Sequence, residues 1–144
     1  MANLPDGLEE VLEEEIYVRK NKGEVQNAIS RLGVTVSGTF FEFYSKYEGP
    51  FWEEYVSFEL LDIVVDIHTI ESCTMISRQE HGFPEQYLVL SEMSANAVLV
   101  LDTYTDRVYK VDFEGGDEML KKGELKETWP TFFDFLVEYF NCLD

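Results

Sequence analysis

Apolar residues recur at helical spacing near the start of the chain, at Leu8, Val11, Leu12 and Ile16, with five glutamates filling the positions between them. Asp6 stands where an N-cap belongs, so the pattern predicts a first helix over 8–16. A basic patch of Arg19, Lys20 and Lys22 then leads to Gly23, a natural stop. A second helix is predicted over 24–32, with Val25, Ala28, Ile29 and Leu32 on one face and Gly33 closing it. Ser37 can cap a third, in which Phe40, Phe41, Phe43, Tyr44 and Tyr47 form a wide aromatic stripe ended by Glu48-Gly49-Pro50. Residues 55–61 alternate like a strand, and a short helix is predicted from about Thr69 to the Gly82-Phe83-Pro84 break.

The second half changes period. Three β-branched and aromatic stretches, 86–90, 96–102 and 107–113, are separated by turn residues, and Thr103 to Asp106 can join the last two as an antiparallel hairpin. In its second arm Tyr109, Val111 and Phe113 share one face, and Val108, Lys110 and Asp112 the other. Glu114-Gly115-Gly116-Asp117 reads as a turn. Thr128 or Thr131 can cap a last helix whose core face is Phe132, Phe135, Leu136, Tyr139 and Phe140. The expected class is α+β, a mostly antiparallel sheet flanked by N-terminal helices and a C-terminal helix. With no repeat and no Pro/Gly/Ser linker, residues 1–144 are expected to form a single domain.

Composition narrows the function. A chain that is 45% hydrophobic and 15% aromatic has the apolar surface that a disordered acidic tail lacks. Asp and Glu number 29 against 11 Lys and Arg, a formal net charge of −18, which argues against direct binding to nucleic acid or to an anionic membrane. No signal-peptide pattern opens the sequence and no apolar run is long enough to cross a bilayer, so a cytoplasmic protein is expected. Cys73 and Cys142 fit no metal spacing and read as buried free thiols.

No catalytic constellation emerges. The two histidines, His68 and His81, accompany no nucleophile elbow, phosphate loop or HExxH helix. Asp112, Glu114, Asp117 and Glu118 surround two glycines but lack the calcium-loop pattern, so no metal and no cofactor is expected. The charge distribution stands out instead. Residues 1–18 and 51–72 hold six acids each and no Lys or Arg. Such clustering serves solubility, or complementarity to a cationic partner. Within the second window Trp52 and Tyr55 stand among Glu53, Glu54 and Glu59, the composition of an apolar hot spot with an acidic rim, whereas Phe40, Phe43, Tyr44 and Phe58 read as core.

Ile29-x-x-Leu32 followed by Ser37-x-x-Phe40-x-x-Phe43-Tyr44-x-x-x-Glu48-Gly49 resembles the opening signature of the SUKH superfamily, P-x-x-Y-x-x-F-L-x-x-x-N-G. Trp129-Pro130-Thr131-Phe132-Phe133-Asp134-Phe135-Leu136 resembles its closing S-F-x-x-F-L helix, and Pro84–Leu90 with Val98–Phe113 its central strand and hairpin. The resemblance covers about residues 24–137. It implies an α+β fold with no catalytic residues to carry over, and a role as a small bacterial immunity protein: an antitoxin that binds and blocks a cognate secreted polymorphic toxin, often a nuclease or RNase. On that reading Glu53, Glu54, Glu59, Asp62 and Asp66 supply charge toward a basic groove, and Trp52 and Tyr55 supply apolar anchors. The competing expectation is a cytosolic scaffold or regulatory module that recruits another protein.

Overall fold

Alternation along three short strands sends their side chains into two separate hydrophobic clusters. The computed structural model describes residues 3–65 and 67–142. Strands β1 (Tyr87–Val89), β2 (Ala97–Asp102) and β3 (Val108–Asp112) pair antiparallel in that order, in the register Leu88↔Leu101 and Val100↔Tyr109. Leu88, Leu99, Leu101 and Val108 face the larger cluster. Tyr87, Val89, Val98, Val100, Tyr109 and Val111 face the smaller one, with Phe83 and Leu120. The sheet is therefore buried on both faces, as its nearly continuous apolar β2 requires.

The helices supply the cover. They are α1 (Leu8–Val11), α2 (Gly23–Leu32), α3 (Gly38–Lys46), α4 (Ile70–Glu80), α5 (Gly116–Lys121) and α6 (Phe132–Tyr139). Six helices and a three-stranded antiparallel sheet among the described residues make the fold α+β. Gly33 ends α2 with φ +72, a left-handed turn whose N–H reaches the carbonyls of Ile29 and Ser30. The hydroxyls of Ser37, Thr69 and Thr131 accept from the third backbone N–H of α3, α4 and α6, and Thr69 forms a reciprocal box with Ser72. The aromatic stripes of α3 and α6 meet, Phe40 and Phe132 lying 5.1 Å apart between ring centres.

Five expectations need correction. The first helix stops at Val11 and a 3-10 turn follows at Glu15–Tyr17. Leu8 and Leu12 already bury their stripe, while Ile16 is 71% exposed, so nothing draws the three consecutive glutamates onward as helix. Gly7, with φ +88, occupies the N-cap position rather than Asp6. Residues 55–61 do alternate, with Val56, Phe58 and Leu60 inward, but only Leu60 pairs as a strand does, with Phe51 and Ser91. The predicted turn at 114–117 runs directly into α5, prepared by Asp112, whose Oδ1 accepts from the N–H groups of Glu114 and Gly116. Cys142 is buried, but Cys73 is only half-buried.

A candidate protein-binding face on the 52–59 loop

Residues 52–59 leave the body of the protein and return at almost the same point. The ends are clipped by reciprocal backbone hydrogen bonds between Phe51 and Leu60, at 2.8 and 2.9 Å. Underneath, the buried Tyr139 of α6 donates its hydroxyl toward the carbonyls of Phe58 (2.7 Å) and Phe51 (3.0 Å) and accepts from the N–H of Leu60. Burial raises the Tyr139 phenol far above its ordinary pKa, so it stays a neutral donor and acceptor. Val56 and Phe58 plug the loop into the core. What remains outside is the pair of aromatics, Trp52 at 66% and Tyr55 at 48% exposure, with Glu54 exposed and Glu53 and Glu59 half-buried. Partial burial, and secondarily the neighbouring Glu54, hold the Glu53 carboxyl above its usual pKa.

Asp62 takes no part in this surface. It was expected as an outward charge, yet it is fully buried and receives both terminal nitrogens of Arg19, Nη1 at 3.0 Å. Its oxygens also accept from the N–H groups of Gly49, Val64 and Val65. Arg19, read as part of a basic patch, is buried with it, its remaining donors on the carbonyls of Tyr44 and Tyr47. A carboxylate with five donors cannot also serve a partner; it organises the backbone where the 48–51 and 61–65 segments meet. Asp66 lies outside the described residues.

The two acid-rich windows adjoin. Val18 bridges Tyr47, Glu48 donates its N–H to the carbonyl of Tyr17, and the Tyr17 ring stacks on Phe51 at 5.7 Å. The neighbours of that stack, Ile16 and Val18 on one chain segment and Trp52 on the other, are all exposed. Ile16 and Val18 are the two that the sequence pattern does not single out: Ile16 falls on a helix stripe, and only its burial state separates it from Leu12. Acids are exposed elsewhere too, among them Glu85, Glu118, Glu124 and Asp134, so the surface is broadly anionic. On this face Ile16, Val18, Trp52 and Tyr55 are exposed apolar side chains standing among acids. Among the cations Arg19 is buried, Arg31 forks onto Glu71, Lys121 pairs with Glu118 and Lys110 lies over the Trp129 ring, while Lys46 lies over the Tyr47 ring beside this face.

Among the described residues no group of three or more His, Cys, Asp or Glu side chains is placed to hold a metal ion. No helix among them is long and apolar enough to cross a membrane. The chain belongs to the SMI1 / KNR4 family (SUKH-1), whose family model matches residues 21–138, from the start of α2 through the whole sheet and nearly all of α6. The family is not known as enzymatic, suggests a protein partner and is consistent with an immunity role. A search of the curated proteins finds no match to this sequence.

Proposed function

We propose that this protein is an immunity protein that binds a cognate secreted toxin, a basic nuclease or RNase domain, and blocks it by occupying the groove that would hold nucleic acid. The observation that carries the reading is the pinned 52–59 loop. It presents Trp52 and Tyr55 as apolar anchors, and Glu53, Glu54 and Glu59 as charge, on a chain of net charge −18. A groove built to attract phosphates offers the complementary cations, and steering by like-signed acids accelerates encounter while the aromatics slow escape. The protein works in the cytoplasm on this reading, where a toxin of that kind would act.

The test is binding to the basic toxin domain encoded beside this chain, at low and high salt. Replacing Glu53, Glu54 and Glu59 together by Lys is expected to lower the association rate at least tenfold at low salt and to weaken its salt dependence. Trp52→Ala is expected to act on dissociation instead, by about tenfold or more. Unchanged binding in both variants removes this face from the mechanism. Absence of any neighbouring toxin, with stable association to another cytosolic protein through the same loop, would favour a scaffold instead.

A further inference from the structure

The connection from α2 to α3 has the layout of a strand without a partner. Val34 and Val36 pack against the larger core cluster while Thr35 between them is exposed, a period of two. Among the described residues the backbone groups of 34–36 make no hydrogen bond. Side chains that alternate in and out leave the N–H and C=O groups directed along the sides of the segment, and two hollows border residues 34–37. On one side lies a groove of roughly 860 Å³ running to Pro84, Gln86 and the hairpin turn at Thr103 and Tyr104; on the other, one of roughly 290 Å³ reaches Phe41.

The chemistry of the larger groove selects among occupants. Glu85 and Asp106 line it and no Lys or Arg does. The Glu85 carboxylate has no partner among the described residues, and it lies near Gly33, where an added Cβ would stand 3.8 Å from its Oε2. Tyr104, 79% exposed at the hairpin tip, offers an aromatic face at the rim. Unpaired backbone groups attract another backbone, whereas an unpaired acid and a free aromatic ring attract a cationic side chain.

We propose that Val34-Thr35-Val36 is a docking edge for an extended, lysine- or arginine-bearing peptide segment of a partner protein, which pairs with it as an added β-strand. The segment's backbone fills the hydrogen-bonding row, and its cationic side chains meet Glu85 and the Tyr104 ring. This surface shares no residue with the 52–59 loop, so it stands or falls apart from the immunity reading.

The probe is an acetylated, amidated peptide of alternating lysine and valine, followed by amide hydrogen exchange and backbone chemical shifts of the full chain. Saturating peptide is expected to slow exchange at Val34, Thr35 or Val36 by about tenfold or more, as pairing of a solvated amide does. The same peptide methylated on its backbone nitrogens is expected to bind at least about tenfold more weakly, a comparison that leaves the protein unchanged. Tyr104→Ala and Glu85→Gln, both on exposed side chains, are expected to weaken binding by about threefold each. Equal binding of the alternating glutamate–valine peptide overturns the proposal, as does unaltered exchange at 34–36. Protection of these amides that rises with protein concentration without peptide also overturns it, because the occupant is then a second copy. A lysine peptide that perturbs Trp52 and Tyr55 instead overturns this edge while supporting the loop as the cation-binding face.

Discussion

The 52–59 loop and the β2–β3 hairpin are held by opposite means. In the hairpin the facing backbone groups pair across the ladder, from Ala97↔Asp112 to Leu101↔Val108, and the outer edges are closed by neighbouring segments, β1 beside β2 and Thr128-Trp129 beside β3. The loop has one backbone clip, at Phe51 and Leu60, and owes the rest of its shape to side chains from distant parts of the chain: the Tyr139 hydroxyl beneath it and the Arg19–Asp62 pair behind it. The difference teaches where variation is tolerated. A ladder survives many side-chain changes, whereas a loop fixed by a few buried polar atoms depends on each of them and tolerates change mainly at its outer residues.

The sharpest way to break that contrast is Asp62→Ala. It leaves a buried guanidinium and three backbone N–H groups without their acceptor, and is expected to cost about 4 kcal/mol in urea unfolding. The double replacement Arg19→Met with Asp62→Leu is expected to cost less than the single one, and the remaining deficit measures the orphaned backbone donors. Next comes the ladder. Leu101→Ala removes a fully buried side chain, for an expected loss of about 3 kcal/mol by cavity formation with the register intact.

Tyr139→Phe is expected to cost about 2 kcal/mol and to speed amide exchange at Leu60 before it affects the hairpin. It also carries a pH signature. Burial raises Tyr139 and Tyr44 in the folded state, so their contribution is complete below the unfolded phenol value of 10.0 and declines as pH rises past it. The alkaline decline is therefore expected to be shallower in Tyr139→Phe; an identical alkaline limb in both proteins would contradict the burial argument. The smallest effect belongs to Glu53→Gln. Because folding penalises its charged form, the variant is expected to be more stable at neutral pH by under about 0.5 kcal/mol. The gain should vanish in acid, where both proteins are neutral at that position.

Much of the regular structure was legible in the pattern of residues. The faces of α2, α3 and α6, the cap Ser37, the start of α4 near Thr69, Thr131 as one of two cap candidates, and the alternation of β3 follow from local rules, because a helix or hairpin satisfies its backbone within a short stretch. The stretch 55–61 shows the limit. Its alternation correctly sorted inward from outward residues, but alternation reports burial and not the presence of a neighbouring strand. Asp62 shows it more severely: next to Leu61 and Ile63 it looked like one more acid of a charged window, and nothing local distinguishes it from Glu53 or Glu59.

The sequence by itself determined the fold class, the family, the anionic character, and the presence of Trp52 and Tyr55 among acids. All of these depend on residue type and short spacing. Tertiary structure alone decided which charges are spent inside and which are left at the surface. Arg19 and Asp62 are 43 residues apart, and Tyr139 reaches back 81 residues to Phe58. Such contacts are set by how the helices and sheet bring distant segments into one dry interior, where an unpaired polar atom is costly and a well-placed one fixes the shape of a loop.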